Sequence, residues 1–334
     1  MNIKIVMVCT AAFLFVGCAG HSKQNTMPFD SELYDGQEVE SFNLKDAPKT
    51  ETEAIKRGDK ALGQNNVDLA LYEYIRSLKL PKGVHKDKTL YTIGQIHQSR
   101  QNIALAEKAY LMALKENPDN VKVLEQLGAN FSKQGDVAQG KSYFLRAINA
   151  DQLRMKAGSQ QIKEPLTSTR INGLTVDNQS PIVAYMGLGI LYDVDNKHAL
   201  AQGFYRKALT IDPKSAKGLI NMGYSYYMSG DYGEAARTTI AALKLAKNNE
   251  KAQNNLALIY LAQNKVQKAL GVFMSSMEDY QALNNVGYFL MLQGKPEMAI
   301  PYLQQAIDKN PVYYQLANEN LKRALAEIRA KDRN

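Results

Sequence analysis

Residues 121–150 read VKVLEQLGANFSKQGDVAQGKSYFLRAINA, and their large and small residues fall at fixed offsets: Leu124, Leu127, Gly128, Phe131, Gly135, Gly140, Phe144 and Ala147. The apolar positions keep helical spacing on both sides of the Gly135 break, which is the pattern of two amphipathic helices joined by a tight turn. One such pair cannot bury its own apolar stripes, so the rest of the chain is searched for further copies.

The same offsets return at Asp87 (Leu90, Ile93, Gly94, His97, Ala106, Tyr110, Ala113, Pro118), 34 residues before Val121. They return again at Ile182 (Tyr185, Leu188, Gly189, Tyr192, Ala201, Tyr205, Ala208, Pro213) and at Ala216 (Leu219, Met222, Gly223, Tyr226, Gly230, Ala235, Ala242). Weaker copies begin at Glu51, Glu250 and Tyr280. Small residues at the glycine and first alanine positions let paired helices approach closely, while the large positions fill the space between neighbours. The copies resemble tetratricopeptide repeats. The expectation is an all-α superhelix of about seven helix pairs, with three repeats over 51–152, four over 182–312, and a capping helix over 313–331 whose last turns carry Lys and Arg.

Two irregularities interrupt the period. After Asp151 the register slips by 27 residues, and the insert at 153–181 contains Gly158, Pro165, Gly173 and Pro181, which predicts an extended or partly helical excursion. The copy at Glu250 is 30 residues long, which shortens its second helix by about one turn near Ser275-Ser276.

The chain begins with Lys4 and a short apolar stretch through Val16, the form of a secretory signal at 1–17. It ends in Phe15-Val16-Gly17-Cys18-Ala19, which resembles the lipobox of bacterial lipoproteins. That resemblance implies acylation of Cys18, tethering to the lipid membrane, and, with Ala19 rather than Asp after the cysteine, residence on the periplasmic face of the outer membrane. Residues 18–50 are polar, acidic and broken by Pro28 and Pro48, which reads as a flexible linker.

Composition narrows the chemistry. Both cysteines, Cys9 and Cys18, lie in the N-terminal segment, and the four histidines are scattered without metal-ligand spacing. No phosphate-cradling glycine loop or nucleophile motif occurs, and Asp193, Asp195 and His198 read as capping and turn residues. The net charge of +8 comes without an aromatic-interleaved arginine stripe. The expectation is a chain with no enzymatic activity, no cofactor, no metal, no nucleic acid and no small-molecule substrate.

In tetratricopeptide arrays the concave groove is lined by positions 2, 5, 9, 12 and 13 of each first helix. In the repeats at 87 and 121 these are mainly polar, with Lys88, Tyr91, Gln95, Gln98, Ser99, Lys122, Glu125, Ala129, Ser132 and Lys133. From Ile182 onward the lining turns apolar and aromatic: Met186, Ile190, Ile220, Tyr224, Tyr227, Met228, Leu258, Leu261, Tyr288, Met291 and Leu292. Such a surface predicts a protein partner bound there. Asn221, Asn255 and Asn285 recur at position 6, with Asn254 and Asn284 before two of them; this ladder either bonds a peptide backbone or braces neighbouring repeats.

The run Leu188-Gly189-Ile190-Leu191-Tyr192-Asp193, continuing through His198, Ala201, Gln202, Tyr205 and Ala208-Leu209, resembles the TadD-like tetratricopeptide lipoproteins of Tad/Flp pilus assembly. Asn255-Leu256-Ala257-Leu258 and Asn285-Val286-Gly287-Tyr288 are similar to late repeats of that family. The resemblance implies a pilus-biogenesis scaffold with pilotin-like support of the secretin, or contact with another Tad component. An adaptor lipoprotein that docks peptidoglycan hydrolases is the alternative.

Overall fold

In the computed structural model of the chain, residues 32–36, 47–156, 161–310 and 312–331 are described. Cys18 and the signal region lie outside them.

The helices start on residues suited to the task. Thr50, Asn66, Asn102, Asn120, Asp136, Ser215, Asp231 and Asn249 each accept a hydrogen bond from the backbone N–H three residues on, satisfying a donor that a helix start leaves open. The helices pair as α1 (Glu51–Gly63) with α2 (Val67–Leu78), α3 (Lys86–Ser99) with α4 (Ile103–Glu116), and α5 (Val121–Lys133) with α6 (Val137–Arg154). After α7 (Ser168–Asn172), α8 (Ile182–Val194) pairs with α9 (His198–Ile211), α10 (Ala216–Met228) with α11 (Tyr232–Leu245), and α12 (Glu250–Ala262) with α13 (Val266–Met274). Finally α14 (Asp279–Leu292) pairs with α15 (Pro296–Lys309), and α16 (Gln315–Lys331) packs on both. The expected seven pairs and capping helix are present.

Each turn within a pair holds one residue in left-handed backbone: Asn65, Gln101, Gly135, Asn196, Gly230, Asn264 and Gly294. Glycine and asparagine adopt that conformation most readily, which is why six of these seven turns use them, Gln101 being the exception. Inside the pairs, a Cβ added at Gly94 would lie 2.4 Å from the Tyr110 ring, and one at Gly189 equally close to Tyr205. The buried tyrosines then reach across their pairs: Tyr74 donates to Asp59 at 2.7 Å, Tyr110 to Gln98 at 2.9 Å and Tyr205 to Asp193 at 2.9 Å.

First helices of later pairs touch one another directly (α5 with α8, α8 with α10, α10 with α12, α12 with α14), while each second helix packs on its own partner and on the next first helix. The layer in which like helices meet is the inner wall of the superhelix. The helix α13 has 9 residues against 14 in α15, as the short repeat requires.

The insert does not break the stack. The side-chain amide of Asn149 brackets Ile162, donating to its carbonyl at 2.9 Å and accepting from its N–H at 2.7 Å; Gln152 does the same to Thr175, at 2.8 and 3.1 Å. Ile162, Leu166, Ile171 and Leu174 are buried, and α7 lies against the second helix α9, so the excursion runs over the outer layer. Meanwhile α8 packs on α5 and α6 as the next first helix of a regular array would.

Within the stretch read as flexible linker, residues 32–36 are docked on the first two pairs. Leu33 is buried in the core cluster, its carbonyl lies 2.9 Å from His97 Nε2, and Tyr34 meets Tyr72 edge-on at 6.3 Å. Asp35 accepts from Arg100 at 3.0 Å and Asn102 at 3.1 Å, and Glu32 pairs with Lys108. A leucine, a tyrosine and two acids in five residues meet matching partners on α2, α3 and α4; the polar composition of the surrounding segment hid this site.

Candidate protein-binding groove

The groove positions divide into two sets. Position 9 forms a continuous inner row of Ile190, Tyr224, Leu258 and Tyr288; Ile190 and Tyr224 are exposed to 40% and 39%, Tyr288 is exposed and Leu258 is half-buried. Beside it Met228 and Leu292 are exposed at position 13, and Tyr227 is half-buried between Tyr224 and Tyr232, with ring centroids 6.0 and 5.8 Å away. Asn254 is exposed.

The other set is not free surface. Met186, Ile220, Leu261 and Met291 are buried: Met186 belongs to the large core cluster, Ile220 packs with Ala242 and Ala252, and Leu261 and Met291 join the core around Phe273 and Val286. Positions 5 and 12 turn towards neighbouring helices once the first helices close on one another, so these four side chains hold repeats together rather than face a partner. Asn284 is also buried, and its Oδ1 accepts from Asn320 of the capping helix at 3.0 Å. Asn221 and Asn255 are buried between repeats, and Lys251 donates to Asn221 at 3.3 Å. Asn221 and Asn284 therefore brace the array, whereas Asn255 is buried with its Nδ2 unpartnered among the described residues; of the two candidate ligands, Asn254 alone stays open.

At the junction of the third and fourth repeats, the inner wall holds a cavity of about 360 Å³. It is lined by Ala129, Ser132, Lys133, Val183, Met186, Ile190 and Lys217, with the buried Phe144 ring packed behind them. Phe144 itself fills the space over two glycines: a Cβ at Gly128 or Gly187 would meet its ring at 2.5 or 2.3 Å. Sequence reasoning named Met186 and Ile190 but not the Phe144 contact, because Phe144 comes from a second helix and its buried ring reaches α8 where Gly187 stands in place of the position-6 asparagine of later repeats. The tell-tale was the run of small residues Ala129, Ser132 and Gly187 at inner positions.

Asp193 is a hydrogen-bonding hub. It accepts from Tyr205, lies 2.8 Å from His198 Nδ1, and accepts from Ser225 of the next repeat at 2.6 Å. In a nucleophilic triad the histidine stands between serine and carboxylate; here both bond the carboxylate, which ties two repeats together. Among the described residues no group of three His, Cys, Asp or Glu could hold a metal, and no helix is long and apolar enough to cross a membrane.

Stacked helix pairs with an exposed apolar row along their inner wall define a repeat scaffold for protein–protein interaction. Models of the tetratricopeptide repeat family match residues 220–274 and 280–313, so the repeats of that stretch are similar to tetratricopeptide repeats. Among solved structures, a tetratricopeptide repeat protein from Parabacteroides merdae aligns over 83% of this chain and 100% of its own, with TM-score 0.51 and 16% identity. PilW, a widely conserved type IV pilus biogenesis factor, aligns over 84% of this chain and 100% of its own at TM-score 0.45 and 13% identity. The Cell division cycle protein 16 homolog of Homo sapiens is 26% identical over 182 residues, 54% of this chain and 26% of its own length. The aligned stretch thus spans about a quarter of that relative. At 16% identity the likeness to the Parabacteroides merdae protein speaks to fold alone.

Proposed function

We propose that this chain is a non-catalytic scaffold that binds a segment of a protein partner along its inner wall, held at the periplasmic face of the outer membrane by acyl chains on Cys18. The observation that carries the binding role is the exposed row Ile190, Tyr224, Leu258 and Tyr288, which has no covering element among the described residues. The resemblance of residues 188–209 to TadD-like lipoproteins supports a place in Tad/Flp pilus assembly, with the secretin or another Tad component as partner. The lipobox-like Gly17-Cys18 junction supports the anchor, since more than one acyl chain gives stable attachment.

Affinity capture from envelope extract with the full chain tests this reading. Recovery of the secretin, lost on Tyr224→Ala with Tyr288→Ala, supports it; recovery of peptidoglycan hydrolases instead makes the chain an adaptor of a different system. Cys18→Ser should abolish acyl labelling and release the chain from membranes, and a variant that still sediments with the outer membrane would refute the anchor.

A further inference from the structure

The loop from the first pair to the second, between α2 and α3, runs seven residues, Lys79 to His85, whereas the four other loops that lead directly from one pair to the next have four each. The extra length leaves Pro81, Lys82 and Val84 exposed, Val84 to 77%. None of the four-residue loops exposes a large apolar side chain. The tip is held in shape from inside: the buried Glu51, at the start of α1, accepts from Val84 N–H at 2.8 Å and from His85 N–H at 3.0 Å. Gly83 sits so close over that carboxylate that a Cβ there would lie 2.8 Å from it, and Lys82 is kept in left-handed backbone with φ of 60°, where lysine is uncommon. With its backbone pinned, Val84 keeps its side chain in solvent.

The charge at this tip has one sign. From Lys79 to Lys88 the chain carries four lysines, Lys79, Lys82, Lys86 and Lys88, against one acid, Asp87. The Asp87 carboxylate is taken up by Asn117 and Asn120, each at 2.9 Å, while Lys82, Lys86 and Lys88 make no ion pair among the described residues. A projecting apolar side chain flanked by lysines suits a flat anionic surface: the ammonium groups meet headgroups and the valine enters between them.

Resting on the acyl anchor read above, we propose that the segment from Lys79 to Lys88 is a second membrane contact, one that takes anionic lipid headgroups. Fourteen residues separate Cys18 from Glu32, which pairs with Lys108 of the second repeat, and they span at most ~50 Å. That is more than twice the ~20 Å length of α1, so the tether lets the loop reach the surface that holds the anchor. The acyl chains limit the distance to the membrane, and the loop selects which edge of the array faces it. With both contacts on the first two repeats, the exposed row of the later repeats is left to a protein partner.

The test uses the full chain with Cys18→Ser, so that no acyl chain contributes, sedimented at low salt with vesicles of phosphatidylcholine alone or in equal parts with phosphatidylglycerol. The chain is expected to bind the anionic vesicles at least about tenfold more tightly than the neutral ones, and Lys82→Glu with Lys86→Glu to remove that preference while circular dichroism stays helical. The chain has no tryptophan, so Val84→Trp reports on the tip directly. Its emission should move to shorter wavelength with the anionic vesicles only, whereas Val312→Trp, at an exposed position before the capping helix, should not shift. Such a contact is weak and is screened at about 0.15 M salt, where the Debye length is ~8 Å, so release of the Cys18→Ser chain from membranes at that ionic strength agrees with it. Acyl labelling of Cys18 tests the anchor separately. Equal binding to the two kinds of vesicle overturns the proposal, as does an unchanged preference in the double lysine variant. An unshifted Val84→Trp emission on a chain that still sediments with the anionic vesicles also overturns it, since another surface then meets the lipid.

Discussion

The Glu125 carboxylate accepts a hydrogen bond from the Ala184 N–H at 3.1 Å across 59 residues of chain. Val183 N–H donates to it as well, so a side chain of α5 caps the first turn of α8, whose own flanking residue, Pro181, offers no side-chain cap. This clasp fastens the two parts of the array across the insert.

Burial pushes the Glu125 carboxyl up to about 7; Asp151 adds in the same direction, and the two backbone donors and Lys122 pull against it. A carboxyl raised in the folded state binds more protons there than in the unfolded chain, so its contribution to stability is complete below the unfolded value and fades as pH rises towards 7. Glu125→Gln keeps an acceptor and removes the titration. Its melting temperature is expected to match the parent near pH 4.5 and to exceed it at pH 8 by roughly 5 °C, about 2 kcal/mol at the transition. A difference that does not change with pH would show that Glu125 stays ionised throughout.

The insert is held by side-chain amides at two points, so its removal from the stack can be staged. Asn149→Ala and Gln152→Ala each leave a backbone N–H and carbonyl of the insert without their partners, at an expected cost of about 1–2 kcal/mol apiece. Urea unfolding followed by circular dichroism should show a lower midpoint with an unchanged slope. A fall in the slope would mean that the insert detaches before the array unfolds.

Asp35 provides a second pH handle of opposite sign. Burial pulls its carboxyl up, but hydrogen bonds from Asn102 and Arg100 outweigh that and hold it below the ordinary range. Its contribution is therefore present above about pH 4 and disappears as pH falls through the lowered value. Asp35→Ala should cost about 1 kcal/mol at pH 7 and much less at pH 3. Chymotrypsin should then cut after Tyr34 readily in the variant and slowly in the parent; equal rates would mean that Asp35 does not hold residues 32–36 in place.

What the sequence disclosed follows the range of the interactions. Paired helices rest on offsets within one repeat, such as Gly94 with Tyr110 or Gly189 with Tyr205, and these recur often enough to be read directly. The Glu125 cap and the Leu33 to His97 contact join residues 59 and 64 positions apart, and neither lies on the repeat period. In the groove, periodicity identified the inner face but not which positions stay open. Position 9 stands clear, whereas Ile220 and Leu261 at positions 5 and 12 are drawn into the cores between repeats. Exposure there depends on how closely first helices approach one another, and that distance is set by side chains outside the periodic positions.

That distinction decides which groove residues to test. Tyr224 and Tyr288 lie on position 9, exposed and separated by one repeat, so truncating them removes contact area without opening a core. Tyrosine supplies a large contact surface at small entropic cost, and a central aromatic anchor costs ~2 kcal/mol or more when truncated, about a 30-fold loss of affinity. Tyr224→Ala with Tyr288→Ala is therefore expected to weaken capture of the partner at least about 30-fold while the helical circular dichroism stays native. Leu261→Ala makes the contrast: buried beneath Val286 and Phe273, it should lower stability by about 2–5 kcal/mol and affect binding only through unfolding. Gln95→Ala, at the exposed position 9 of the second repeat, is the polar control. If calorimetry on the folded variants finds Gln95→Ala as costly as the tyrosine pair, the partner lies along the whole inner wall. The apolar row of the later repeats would then be one part of a longer site.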